Sequence, residues 1–68
     1  MKLSARNQLS GTVTSVHEGA SIANVEVDVN GQRVVASITV EAARELGLEV
    51  GKTVTAIVKA SDVILATD

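Results

Sequence analysis

The side chains best suited to chemistry stand at the front of the chain, in Ser4-Ala5-Arg6-Asn7-Gln8-Leu9-Ser10-Gly11. Arg6 carries a planar fork of donors that matches an oxyanion. Ser4, Asn7, Gln8 and Ser10 add neutral donors, and the small side chain of Ala5 lets backbone come close to a ligand. No nucleophile stands beside a base here. The stretch reads as one wall of an anion site, and the other walls must come from elsewhere in the chain.

Two further places can supply them. Lys59 offers a second positive charge, followed by Ala60 and Ser61, whose backbone N–H groups or hydroxyl could donate. Thr39 stands where a helix should begin, so its hydroxyl and the N–H groups of Val40, Glu41 and Ala42 form the kind of helix start that accepts anions. Each residue also has an ordinary explanation. A terminal Arg is usually solvated, a Lys on a strand edge blocks aggregation, and Thr39 could simply cap its helix.

Taken together the segments resemble the molbindins, the small molybdate- and tungstate-binding proteins. The resemblance rests on Ser4-Ala5-Arg6-Asn7-Gln8-Leu9 with Gly11, on Ala36-Ser37-Ile38-Thr39, on Leu46-Gly47-Leu48 with Gly51, and on Val58-Lys59-Ala60-Ser61-Asp62-Val63. It covers nearly the whole chain and implies one such domain over residues 1–68. It also implies a bound molybdate or tungstate, held as a ligand and not as a catalytic cofactor, by Ser4, Ala5, Arg6, Asn7, Thr39, Val40, Ala42, Lys59, Ala60 and Ser61. A homo-hexamer built as a trimer of dimers, with anions at subunit interfaces, is implied as well. Members of the family can carry a Ser three residues after the Thr. Here that position is Ala42, which removes one side-chain donor. His17 is a candidate for a second anion site on a symmetry axis, although a lone His in a turn ordinarily has no such role.

These residues need elements to position them. Residues 8–17 alternate weakly and read as a strand, with Gly11 as a bend or bulge. Val25, Val27 and Val29 alternate with Glu26 and Asp28 in a clear strand over 22–29. Asn30-Gly31 then signals a tight hairpin, and 32–38 returns antiparallel. Val40 to Leu46 reads as a short helix stopped by Gly47. Lys52 to Lys59 alternates again, and Val63-Ile64-Leu65-Ala66 reads as a fifth strand. Three strands, a short helix and two strands is the layout of an all-β, five-stranded OB-like Greek-key barrel.

Composition narrows the function. With 68 residues, a single core is marginal. There is no Cys, and His17 is the only His, so neither disulfides nor a structural zinc site can staple the fold. The hydrophobic fraction of 46% is more than so small a core can bury, which points to association. Six Lys and Arg stand against eight Asp and Glu, with no aromatic residue. A nucleic-acid-binding OB domain needs a basic groove and stacking platforms, and is disfavoured. A structural or regulatory oligomerisation module remains the other alternative, but leaves the Ser4–Asn7 cluster without a purpose. No catalytic constellation and no metal-ligand cluster is present. No apolar run nears the roughly 20 residues of a membrane span, and no secretory leader is visible. The expectation is a cytoplasmic, non-enzymatic binding protein for intracellular storage or buffering.

Overall fold

The computed structural model describes residues 1–68. Strands β1 (Asn7–Glu18), β2 (Ile22–Val29) and β3 (Gln32–Thr39) are followed by helix α1 (Val40–Glu45) and strand β4 (Thr53–Val58). A single 3₁₀ turn, η1, spans Ala60–Asp62. The strands form one antiparallel sheet in the order β3-β2-β1-β4. That order is the Greek key, with the strand after the long connection lying beside the first. The architecture is the expected OB-like one with a short helix between the third and fourth strands.

Local chemistry explains the elements. Asn30 (φ 50°) and Gly31 (φ 86°) are both left-handed, so the β2–β3 hairpin closes through a type I′ turn. Thr39 is extended and caps α1, its Oγ1 accepting from Ala42 N–H at 3.0 Å. At the other end Leu48 N–H donates to Ala43 O and Gly47 N–H to Arg44 O, with Gly47 at φ 63°. That is a complete Schellman stop, reinforced by Lys52 Nζ donating to Leu46 O.

Two details of β1 differ from the expectation. The bulge is not at Gly11 but three residues on: Val13 pairs with Val27 and Ser15 with Glu26, leaving Thr14 as the extra residue. The extra residue resets the alternation. Leu9, Gly11 and Val13 share one face, and Val16 then returns to the core where strict alternation would have placed Ser15. Gly11 is instead a point of close approach. A Cβ there would stand 2.6 Å from Asp28 O and 2.7 Å from a Val27 methyl group.

The core is small. Only Val13, Ala23, Val25, Val27, Val40 and Ala43 are buried, in two clusters bridged by Ile38 and Leu48. On the outer face, Ser15 Oγ donates to Glu26 Oε2 at 2.6 Å and Arg33 Nε donates to Oε1. These two hydrogen bonds, the serine's foremost, hold the Glu26 carboxyl below the ordinary carboxylate range.

The expected fifth strand does not form. Val63–Ala66 joins no ladder, and Ile64 and Leu65 are about nine-tenths exposed. An apolar run can pair only where a strand edge is offered, and none within the chain receives this one. The sheet therefore stays open, with β3 and β4 as its two edges. An apolar cleft of about 320 Å³ lies at the opening, lined by residues such as Val34, Ile38, Leu48, Val54 and Ile57.

Candidate functional site

The first and last segments of the sheet meet at one rim. Strand β1 pairs with β4 from Asn7↔Val58 through Thr12↔Thr53. The rung Asn7↔Val58 is the last, and the residues just outside it are Arg6 and Lys59. Chain segments 4–6 and 59–61 thus leave the sheet side by side. Between them is a shallow cleft of about 400 Å³ lined by Ser4, Ala5, Arg6, Lys59, Ala60 and Ser61. All six are residues that the sequence singled out.

The charges in the chain sort themselves clearly. Arg33 is bonded to Glu26, and Arg44 Nη2 lies 2.9 Å from Glu18 Oε2. Lys52 is used at the helix end. Arg6 and Lys59 have no carboxylate partner, and they are the two cations of the cleft. No carboxylate lines it. The turn after Lys59 adds backbone donors. Within η1 and its caps, Asp62 N–H donates to Lys59 O and Val63 N–H to Ala60 O, while the N–H groups of Ala60 and Ser61 precede the first such bond. The cleft can therefore surround a small anion with a guanidinium fork, an ammonium, two serine hydroxyls and backbone N–H groups. Neither serine hydroxyl of the cleft is hydrogen-bonded to a basic side chain. No group of three or more His, Cys, Asp or Glu side chains is placed to hold a metal ion.

Five expected participants, Asn7, Thr39, Val40, Ala42 and His17, lie outside this cleft. Asn7 is half-buried beneath the cleft, not lining it, and its Nδ2 donates to Val58 O at 3.1 Å. Its position on the inward face, in phase with Leu9 and Val13, was a readable sign that it points away from solvent. Thr39, Val40 and Ala42 are at the other end of the molecule. Thr39, on the far edge strand β3, pairs with Ile22 of β2, and the neighbouring Ala23 pairs with Glu18 at the distal end of β1. The 12-residue β1 separates this end from Asn7 by on the order of 35 Å of strand path. Two of the three helix-start amides are also spent within the chain, Val40 N–H on Ser21 O and Ala42 N–H on Thr39 Oγ1. His17, exposed and paired with Asn24, is likewise remote from the cleft. Gln8, read from the sequence as a neutral donor of the anion wall, is also absent from the cleft lining. Its Nε2 donates back to Ala5 O at 3.2 Å, folding the leading arm onto itself.

An open Greek-key sheet with an unpaired Arg and Lys at its rim is an OB-like domain with an anion-type cleft. The model of the TOBE domain family matches residues 3–65. A probable molybdenum-pterin-binding protein of Haemophilus influenzae is 45% identical over the full length of both chains. Among solved structures, a molybdate-binding protein from Sporomusa ovata is 37% identical with a TM-score of 0.94, over 98% of this chain and all of that one. The cytoplasmic molybdate-binding protein ModG, solved with molybdate bound, is 48% identical with a TM-score of 0.85, over 88% of this chain and 43% of its own. The chain belongs to the molbindin family of small molybdenum-pterin-binding proteins, built on the TOBE domain.

Proposed function

We propose that this chain, as one domain over residues 1–68, binds molybdate or tungstate without catalysis, and serves to store or buffer the anion inside the cell. One observation carries the reading. Arg6 and Lys59, two cations with no carboxylate partner, share a single cleft with serine hydroxyls and free amides. The names of full-length relatives, molybdenum-pterin-binding proteins, and of a molybdate-binding structural neighbour support the same reading.

Thr39 and the start of α1 enter this reading only through another copy. They are at the opposite end and opposite edge of the sheet from the cleft. A neighbouring subunit that presents its Thr39 hydroxyl and helix start to the cleft would supply the third wall. The oligomer expected is a hexamer, a trimer of dimers, and the exposed apolar surface supplies its driving force. Ile64, Leu65 and Val50 are largely exposed, and burying each such side chain is worth about 1.5–3 kcal/mol. Sedimentation at micromolar concentration should show the assembly and no folded monomer. A stable folded monomer would remove both the assembly and the third wall.

The anion should be fully deprotonated. Arg6 and Lys59 only donate, the hydroxyls can rotate to donate, and backbone N–H groups complete the wall. Near neutral pH phosphate keeps O–H groups that must themselves donate. In a pocket with no committed acceptor such a proton must turn a hydroxyl from its donor role or stay unpaired, at a cost of about 1–3 kcal/mol for an unpaired buried group. Sulfate has no such proton but is smaller, and would reach only part of the wall. Competition titrations at fixed ionic strength should therefore show weak displacement of molybdate by sulfate and almost none by phosphate. Phosphate competing at similar concentration would mean that an acceptor, Asp62 or Glu41, reaches the anion.

Calorimetry of the purified chain against molybdate, combined with native mass spectrometry to count subunits and anions, tests the reading directly. No heat and no mass shift at millimolar molybdate would refute it.

A further inference from the structure

We propose that Asn7 is a positioning residue, not an anion ligand: its amide clamps the arm bearing Arg6 to the arm bearing Lys59. The proposal rests on the oxyanion-binding reading above and deepens it.

The observations converge on the rung Asn7↔Val58. It is the last pair of the β1–β4 ladder. Arg6 and Lys59 are the residues next outside it, one on each strand. Two like charges held on adjacent strand ends repel, and no carboxylate stands beside either to relieve the repulsion. Strand ends also fray readily, because the final rung has neighbours on one side only. Without an anion, then, this rim is the place where the sheet is most pressed to open. Asn7 Nδ2 donates across this rung to Val58 O at 3.1 Å, joining residues 51 apart in sequence. The contact is half-buried, so it is less exposed to competition from water than a surface bond. Asn7 is absent from the cleft lining, which is formed by Ser4, Ala5, Arg6, Lys59, Ala60 and Ser61.

The clamp acts on the anion-free protein. It keeps both arms at the spacing an anion bridges, so that little affinity is lost to ordering them on binding. A protein whose competent state is only partly populated binds more weakly by that fraction. Once a dianion sits between Arg6 and Lys59 it neutralises their repulsion and ties the arms itself, and the clamp is no longer needed. A direct ligand would behave in the opposite way, with no effect before binding and a missing bond afterwards.

The test compares wild type with Asn7→Leu, which keeps the shape and loses the donor, using molybdate in calorimetry and hydrogen–deuterium exchange read by mass spectrometry. The expected result has two parts. Molybdate affinity falls roughly three- to tenfold, the range of one net hydrogen bond. In the anion-free protein, exchange rises in peptides covering residues 4–9 and 57–62 and nowhere else, and saturating molybdate restores wild-type protection. Unchanged affinity overturns the proposal. So does weakened affinity with anion-free exchange unchanged, which would make Asn7 a direct ligand, and so does a rise in exchange spread over the whole sheet, which would make its role merely structural. Asn7→Ala serves the same comparison if leucine disturbs packing. Failure of the wild type to bind molybdate at all would overturn the functional reading itself. Wild-type binding with undiminished Asn7→Leu affinity overturns this proposal alone.

Discussion

Arg6→Ala is expected to lower molybdate affinity by roughly a hundredfold or more while leaving the sheet and the assembly intact. Arg6 projects from the end of the chain beyond the last β1–β4 rung, so its removal deletes no ladder bond and no core contact. What it deletes, on the proposed oxyanion-binding reading, is a planar pair of donors at the cleft. Hydrogen bonds to charged groups are worth about 1.5–3 kcal/mol each, and a bidentate fork makes two. Exposure to water lowers this figure, because the cleft is open in the single chain. Closure by a second subunit would raise it again. Arg6→Lys should recover only part of the loss, since an ammonium is a point charge without two parallel donors. Lys59→Ala should weaken binding comparably, by removing the only other cation of the cleft. Isothermal titration with molybdate decides this, with circular dichroism and sedimentation as controls for folding and assembly. Wild-type affinity in Arg6→Ala would place the anion elsewhere.

Gly11→Ala is expected to destabilise the protein strongly, and Gly11→Val to prevent folding. The ordinary rule points the other way, since glycine inside a strand costs about 0.5–1 kcal/mol relative to alanine. Here the sign reverses for a steric reason. The first atom added would stand 2.6 Å from the Asp28 carbonyl oxygen, 2.7 Å from a Val27 methyl group and 2.9 Å from a Val29 methyl group. One of these is backbone and cannot turn aside, so β1 and β2 must separate just where the sheet curves into the Thr14 bulge. Overpacking of this kind costs about 1–3 kcal/mol and occasionally more. A domain of this size has only about 3–5 kcal/mol from its core to spend against it. Gly51 provides the control for the space argument: nothing lies within 4 Å of a Cβ there, and only its φ of 95° resists a side chain. Denaturant titration of Gly11→Ala should show a clear fall in midpoint. A midpoint equal to or above wild type would mean that β2 yields easily and that the close approach carries no constraint.

Much of the structure was legible one segment at a time, because the forces that set it are local. Alternation of Val25, Val27 and Val29 with Glu26 and Asp28 marked β2, and the bounds of 22–29 are those observed. Asn30-Gly31 marked the turn because both residues tolerate positive φ. Thr39 and Gly47 bracketed the helix because a hydroxyl can serve an orphan amide and a glycine can turn left-handed. The ligand chemistry was legible too, since a guanidinium, an ammonium and a set of hydroxyls suit an oxyanion wherever they end up.

What the tertiary structure alone decided is which of these groups meet and which are already spent. Arg6 and Lys59 share a cleft because β1 and β4 pair from Asn7↔Val58, a contact across 51 residues that no local pattern encodes. The Asn7 amide is committed to Val58, and Val40 N–H to Ser21, because those partners come from distant parts of the chain. The Thr14 bulge, rather than one at Gly11, depends on how β2 lies against β1. The apolar run Val63–Leu65 announced burial, but burial needs a second surface, and neither open edge of the sheet, β3 or β4, takes it up within the same chain. Residue type and spacing determine what a segment can bond to. Only the packed chain determines what is within reach.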